Sequence, residues 1–202
     1  MEERPSRKPT RLQNFDYSIT GAYFVTICTQ DRQKILSEIV KPNITVINCS
    51  TDFKSVGEGL APPTVRLTKI GETVEEQLLA LETRYSCLEI IDYVIMPNHI
   101  HAIFFLRGEA GGASPSPTSY RAQFDKTVAE SSECKSITLN DVVCTFKSLS
   151  MRSCKKQFGV QKLFQRSFYD HVIRDRKDYE TRKKYINENP IKWYYDKIYE
   201  DE

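Results

Sequence analysis

The sequence predicts an α+β fold built on one antiparallel sheet followed by a C-terminal helix. Four short runs rich in Ile, Val, Tyr and Phe have the composition of strands. Two longer segments place apolar residues at helical spacing. In chain order these are a strand, a helix, two strands, a helix and a strand. With 202 residues and 40% hydrophobic residues, the chain fits a single domain spanning residues 1–202.

The predicted elements follow one another with short connections except at two places. They are a strand at 22–29, a helix at 70–85, strands at 88–96 and 100–106, a helix at 139–156 and a strand at 164–173. A turn around Pro97 and Asn98 makes the middle strands antiparallel neighbours. This order is that of a ferredoxin-like split βαβ sheet, in which the first and third strands are central. Residues 43–64 and 108–135 are predicted insertions or mobile loops, the second rich in Gly, Ala, Ser and Pro over 108–119.

Two of the three histidines lie one residue apart within an apolar run. His99 and His101 belong to the third predicted strand, and alternate residues of a strand point to the same face, about 6–7 Å apart. That spacing suits two imidazoles that bind one divalent cation. A plainer interpretation is that the two histidines only fill a half-buried face.

The last predicted helix carries a tyrosine and an asparagine on one face. It begins near Asp175, a suitable N-cap, and Pro190 is expected to end it. Tyr185 and Asn189 are four residues apart, so a phenol and an amide share the last turn. Taken alone, Tyr185 could be a packing residue and Asn189 a helix cap.

Several segments together resemble the HUH single-tyrosine transposases, and within them the REP-associated tyrosine transposase group. They occur in this order: FDY (15–17) with GAYFVTICT (21–29), YVIMPNHIH (93–101), FKSL (146–149), QRSFYDHVIR (165–174) and YINENP (185–190). The resemblance covers nearly the whole chain. One departure is Phe164, where relatives often carry Trp, which affects only local packing or stacking.

The resemblance implies a metal-dependent enzyme that cleaves and rejoins single-stranded DNA at palindromic repeat or hairpin sequences. The catalytic nucleophile would be Tyr185, which forms a covalent phosphotyrosine. The metal ligands would be His99, His101 and Asn189. Mixed nitrogen and oxygen ligands with open positions suit Mg²⁺ or Mn²⁺ better than a closed structural zinc site. A tyrosine hydroxyl is mostly protonated at neutral pH, so it must be activated by positioning or by a nearby base.

The charge distribution predicts where DNA binds. Residues 147–184 contain twelve Lys and Arg against four Asp and Glu, although the net charge of the whole chain is only +2. Interleaved aromatic residues would offer stacking faces to unpaired bases. The candidate DNA-binding residues are Lys147, Arg152, Arg166, His171 and Arg174. A solvated helix face would give the same pattern, and His171 could equally be a further metal ligand or a core histidine.

The cysteines and the chain start bear on the compartment. The six cysteines show no metal-binding spacing, and Cys28 and Cys87 lie in apolar runs where a reduced, buried thiol is usual. No signal peptide or membrane-spanning run is evident, so a cytoplasmic, nucleoid-associated protein is expected. The sequence leaves open whether the chain is a monomer or a homodimer.

Three other functions remain to be weighed. A rolling-circle initiator or relaxase would share the chemistry, but such proteins commonly carry further domains. A catalytically silent hairpin-binding module would have lost a ligand or the nucleophile, and here each matched position is filled. A histidine-triad hydrolase is disfavoured because no third alternating histidine follows His101.

Overall fold

A computed structural model describes residues 16–40, 63–107 and 137–200, with side chains up to residue 196. The elements are β1 Gly21–Cys28, a short 3-10 helix Gln30–Arg32, β2 Ser37–Val40, β3 Thr64–Leu67, α1 Lys69–Arg84, β4 Leu88–Ile95, β5 His99–Leu106, α2 Leu139–Phe158, β6 Tyr169–Ile173 and α3 Arg176–Glu200. Nearly all of the two predicted insertions, 43–64 and 108–135, lies outside the described residues.

The main sheet has four antiparallel strands in the order β4-β5-β1-β6. Its first and third strands, β1 and β5, are central, so the predicted ferredoxin-like topology is confirmed. In the register of this central pair, His101 lies opposite Thr26 and His99 opposite Cys28. The histidine pair is therefore in the middle of the sheet.

The two faces of the sheet are covered by different helices. On one face, α1 and α2 pack against the alternate residues Tyr23, Val25 and Ile27 of β1. On the other face, α3 contributes Ile186 to a smaller cluster with Phe24. Because β5 alternates too, the histidines share this second face with α3. Both histidines are buried there.

The start of α2 shows how the sequence sets a helix boundary. The side chain of Thr138 accepts a hydrogen bond from the backbone N–H of Asp141, and the Asp141 carboxylate accepts one from the Thr138 N–H. This reciprocal pair satisfies backbone donors that the first turn leaves free. At the other end, Gly159 closes the helix in the left-handed region, with φ of 70°.

A second, two-stranded sheet joins β2 to β3, and the sequence analysis did not predict it. The β2–β3 strand pair contacts α1 through the backbone of Leu36, the residue that precedes β2. The carbonyl oxygen of Leu36 accepts hydrogen bonds from the Thr68 N–H at 3.0 Å and from Thr68 Oγ1 at 3.1 Å. Gly71 lies directly beside this carbonyl, and only a residue without a Cβ permits that approach.

Two predicted boundaries were wrong. The last strand begins at Tyr169 and not at Phe164, which forms only an isolated bridge with Thr29. The final helix continues through Pro190 to Glu200. A proline within a helix removes one hydrogen bond, and packing can compensate for that loss. Ile186 and Trp193, on either side of Pro190, both pack on the sheet.

Two further predictions, the N-cap at Asp175 and the burial of Cys28 and Cys87, are confirmed within the described residues. The Asp175 side chain accepts a hydrogen bond from the Asp178 N–H at 2.8 Å, as expected of an N-cap. The Cys28 and Cys87 side chains are both buried, as predicted. None of the helices in this part of the chain is long and apolar enough to cross a membrane.

Candidate metal and tyrosine site

The two histidine rings meet on the α3 face of β5. Their centroids are 4.6 Å apart, with the rings nearly perpendicular. The exposed fraction is 8% for His99 and 4% for His101. The strand alternation therefore produces the converging pair of imidazoles that the sequence predicted.

Neighbouring polar groups orient each ring through Nδ1. His99 Nδ1 lies 2.7 Å from Asn98 Oδ1, and His101 Nδ1 lies 2.9 Å from Thr26 Oγ1. An amide oxygen only accepts hydrogen bonds, so His99 Nδ1 carries the proton and Nε2 keeps its lone pair. Metal-binding histidines are commonly held in this way, by a hydrogen bond to the nitrogen that does not bind the metal.

One ring nitrogen of this pair is left without a partner. His101 Nε2 is buried and makes no hydrogen bond within the described part of the chain. A buried polar atom without a partner costs about 1–3 kcal/mol. A cation bound at this nitrogen would act as its partner and would remove that cost.

Burial keeps both histidines neutral. Burial, together with the positive charge of Arg32, lowers the pKa of His99 to about 4. Burial also lowers the pKa of His101 to about 3, with a contribution from His99. Neutral imidazole is the form that binds metal, so both rings are ready to do so at neutral pH.

Tyr185 projects from α3 toward the histidines. Its ring centroid is 5.1 Å from that of His101 and 5.9 Å from that of Phe24, whose plane lies at 76° to its own. Phe24 in turn stacks on His101 at 5.2 Å. Tyr185 is nevertheless 39% exposed, so a substrate can reach it. The ammonium of Lys192 lies 5.6 Å from its ring centroid.

Asn189 lies between two residues that contact the histidines. Tyr185, Asn189 and Trp193 follow at intervals of four on α3 and so share one face. The Trp193 ring is 5.8 Å from that of His99. Asn189 is 8% exposed, and its Nδ2 donates a hydrogen bond to the Tyr185 carbonyl at 3.4 Å. In the described part of the chain, no hydrogen bond joins Asn189 to either histidine.

The donors of this site fit a divalent cation with an open coordination sphere. Among the described residues, no three His, Cys, Asp or Glu side chains converge as a closed metal site requires. The available donors are two neutral imidazoles and, on the adjacent helix face, the neutral amide of Asn189. Such a set leaves positions for a substrate oxygen.

The residues predicted to bind DNA lie on α2, on β6 and on the segments that flank β6. Arg152, Arg166 and Arg174 are exposed. The ammonium of Lys147 donates hydrogen bonds to three backbone carbonyls, those of Gln165 (2.9 Å), Arg166 (3.3 Å) and Ser167 (2.9 Å). These bonds tie α2 to the segment before β6. DNA binding by this set stays a prediction.

His171 lies on β6, opposite Phe24, and pairs with α3. Its Nε2 is 2.7 Å from Asp178 Oδ2. The contacts of Phe24, Thr26, Trp193 and Arg182 around the site were not predicted. For Thr26 a signal existed, because pairing the first and third strands places it across from a histidine. For the others, no local pattern specifies the contact.

Comparison with known proteins identifies the fold. No protein-family model matches the chain. An uncharacterized protein of Haemophilus influenzae is 26% identical over 195 residues, which cover 96% of this chain and 94% of that protein. Among solved structures, a REP-associated tyrosine transposase bound to a REP hairpin matches with a TM-score of 0.53 and 17% identity, over 90% of this chain and 73% of that one. A putative transposase of Deinococcus radiodurans has a TM-score of 0.42 and 14% identity, over 88% of this chain and 95% of that one.

The chain therefore has an α+β fold with a four-stranded antiparallel sheet and a C-terminal helix. More particularly, it is the fold of a REP-associated tyrosine transposase, as the resemblance of sequence motifs implied.

Proposed function

We propose that this chain is a metal-dependent single-stranded DNA transesterase of the REP-associated tyrosine transposase group. It would cleave and rejoin DNA at palindromic repeat or hairpin sequences through a covalent phosphotyrosine. The observation that carries the proposal is the position of Tyr185, 5.1 Å from the ring of a buried, neutral histidine whose Nε2 has no hydrogen-bond partner among the described residues.

Each residue of the site has a distinct role in this reaction. His99 and His101 would hold Mg²⁺ or Mn²⁺ through Nε2, with Asn189 Oδ1 as the third protein ligand. When bound, the cation neutralises charge on the phosphoryl oxygens. Asn98 holds the His99 ring with its Nε2 lone pair available, and Thr26 orients the His101 ring through Nδ1.

The tyrosine would supply the nucleophile. A bond forms between the Tyr185 oxygen and phosphorus while the bond from phosphorus to a deoxyribose oxygen breaks. The phenolic proton is released, and the leaving oxygen gains a proton. Because the phosphotyrosine is an ester like the one it replaced, a DNA hydroxyl can later attack it and restore a phosphodiester. A water-dependent nuclease would lose this ability to rejoin.

The substrate is inferred from two features. The structural neighbour is bound to a REP hairpin. Tyr185 is 39% exposed and presents an aromatic face that unpaired bases can approach. A base-paired strand would first have to be melted, whereas the end of a hairpin is already single-stranded.

Replacing Tyr185 tests the proposal. Tyr185→Phe removes one oxygen and keeps the ring contacts with His101 and Phe24. We expect the wild type to form a denaturation-resistant protein–DNA adduct with a hairpin oligonucleotide in Mn²⁺. Tyr185→Phe should form none, while its affinity for that hairpin stays within about threefold.

The matched control is Tyr195→Phe, a tyrosine on the same helix that is 51% exposed and contacts Tyr194. It should form the adduct as the wild type does. Cleavage by Tyr185→Phe at the wild-type rate would make water the nucleophile and the chain a nuclease. If the wild type bound the hairpin but did not cleave it, the chain would instead be a catalytically silent binding module.

A further inference from the structure

Arg182 lies one turn before Tyr185 on α3 and is fixed by two neighbours. Its Nε donates a hydrogen bond to Asp178 Oδ1 at 3.2 Å. Its guanidinium carbon lies 5.5 Å from the centroid of the Phe24 ring. That ring also contacts His101 and Tyr185. The guanidinium therefore shares its aromatic support with the predicted nucleophile and a predicted metal ligand.

The carboxylate that holds Arg182 is itself held from several directions. Asp178 Oδ2 lies 2.7 Å from His171 Nε2 and accepts a hydrogen bond from the Arg174 N–H at 3.4 Å. Burial alone would raise the pKa of Asp178. The hydrogen bonds from His171, from Arg182 and from the Arg174 backbone bring it below its ordinary value. Asp178 is thus ionised at neutral pH and can orient a cation.

The ion pair between Asp178 and Arg182 leaves part of the Arg182 guanidinium available to another ligand. Asp178 takes only Nε, and the two terminal Nη groups make no hydrogen bond with the described residues. The Arg182 side chain is 32% exposed, so its terminal groups can reach solvent. A guanidinium presents several N–H donors in a plane, a geometry that matches two phosphate oxygens.

We propose that Arg182 binds the phosphate attacked by Tyr185, and that Asp178 and His171 are its positioning residues. The inference rests on the proposed function and deepens it. Residues three apart on a helix are neighbours, so a phosphate at the Tyr185 hydroxyl is within reach of the Arg182 side chain. A fixed cation at that point stabilises the negative charge that develops on the phosphoryl oxygens, without reorganising during the reaction.

A purely structural ion pair is the competing explanation, and the same helix contains a comparison. Arg176 also donates through Nε, to Glu180 Oε1 at 2.8 Å, and these partners are likewise four positions apart. Its side chain is 70% exposed, and no aromatic contact joins it to the site in the described residues. Arg176→Gln therefore removes an equivalent ion pair without touching the site.

The experiment compares single-turnover adduct formation by the wild type, Arg182→Gln, Arg182→Lys and Arg176→Gln. Each is incubated with saturating hairpin oligonucleotide and Mn²⁺, and hairpin affinity is measured separately by fluorescence anisotropy. We expect Arg182→Gln to lower the rate about 100-fold or more. Its affinity should change less than tenfold, because the other DNA contacts remain. Arg182→Lys should recover part of the rate, and Arg176→Gln should match the wild type within twofold.

Asp178→Asn tests the positioning role. It leaves the arginine in place but weakens its orientation, so the rate should fall less than in Arg182→Gln while affinity stays unchanged. Arg182→Gln at the wild-type rate would overturn this inference alone. The inference would also be overturned if Arg182→Gln lost rate in proportion to a lower melting temperature and Arg182→Lys did not recover that rate. A wild type that forms no adduct would instead overturn the proposed function and this inference with it.

Discussion

His99 and His101, on the central strand β5, are almost fully buried. His101 packs between Phe24 and Tyr185, and its only described hydrogen bond uses Nδ1. Burial of a polar ring is unfavourable unless its atoms have partners. This arrangement is therefore easiest to understand if Nε2 has a partner in the working protein, and a cation is the partner that its lone pair fits.

The first residue-scale prediction is that His101→Ala weakens Mn²⁺ binding. The expected result is a loss of at least tenfold in affinity, because one imidazole of the pair is gone. Titration calorimetry without DNA measures this independently of cleavage. His171→Ala is the control, since His171 pairs with Asp178 and should leave Mn²⁺ affinity unchanged. Equal affinity for both variants and the wild type would remove His101 from the metal site.

A second prediction at this scale concerns acid stability in EDTA. The folded chain holds His99 with a pKa of about 4 and His101 with a pKa of about 3, against 6.5 for ordinary histidine. Between about pH 6.5 and 4, the unfolded chain therefore binds protons that the folded chain does not. Folding stability is fully present above pH 6.5 and falls with pH below it, by about 1.4 kcal/mol per pH unit for each histidine.

Urea unfolding at several pH values measures this slope. The double variant His99→Gln/His101→Gln should lose much less stability between pH 6.5 and 4 than the wild type does. Parallel curves for the two proteins would show that the histidines are not held neutral by the fold.

At the scale of the elements, the sequence predicted the sheet well because strand pairing follows local pattern. Apolar runs rich in Ile, Val, Tyr and Phe marked β1, β4 and β5, and the Pro97 and Asn98 turn fixed the antiparallel pairing of the last two. The placement of His99 and His101 on one face followed directly from the alternation of side chains along a strand. That part of the site could therefore be predicted from the sequence, whereas its helix neighbours could not.

The errors have a common physical cause in long-range contacts. Pro190 is a strong local signal for a helix end, but the α3 residues beyond it still gain contacts, such as that of Trp193 with His99. The hairpin β2–β3 pairs segments separated by more than twenty residues. The support of Arg182 by Phe24 likewise joins a helix to a distant strand. Local periodicity carries no information about any of these contacts.

The element-scale prediction is that Gly71→Ala destabilises the protein although it lies inside α1. Alanine is favoured over glycine in a helix by about 1 kcal/mol. Here a Cβ would collide with the carbonyl oxygen of Leu36, a backbone atom that Thr68 holds by two hydrogen bonds. Overpacking of this kind typically costs about 1–3 kcal/mol, which offsets or exceeds that preference, so the melting temperature should fall by about 2–4 °C for each kcal/mol of net destabilisation.

The matched control is Glu76→Ala, an exposed position of the same helix, which should leave the melting temperature nearly unchanged. Cleavage by Gly71→Ala at a temperature where it remains folded should equal that of the wild type, because α1 packs on the face of the sheet opposite to the histidines. If Gly71→Ala instead raised the melting temperature, the β2–β3 strand pair would be able to move away from α1 at little cost in free energy.

At the scale of the whole molecule, the two faces of the sheet have separate tasks. The face under α1 and α2 holds the larger cluster of buried apolar residues, including Tyr23, Phe104 and Phe146. The face under α3 combines a smaller apolar cluster with the histidine pair and the tyrosine. Changes to the site can thus be made without disrupting the main core, so the variants proposed above are expected to fold.

The last prediction is that one chain contains its complete site, with the tyrosine acting in cis. In the described chain, the Tyr185 ring already lies 5.1 Å from that of His101, and both belong to rigid elements that pack on the same face. A mixture of His101→Ala and Tyr185→Phe should therefore form no more DNA adduct than either variant alone.

If the tyrosine acted on a partner's site, a mixed dimer would contain one intact pair of histidines served by one intact tyrosine, and activity would return. Denaturing gels of equimolar mixtures, preincubated at high concentration to allow exchange, measure this. Wild type diluted with either variant is the control and should lose activity only in proportion to its dilution. Adduct recovered in the mixture of the two inactive variants would show that Tyr185 crosses between subunits, and that its closeness to His101 of its own chain is not the working arrangement.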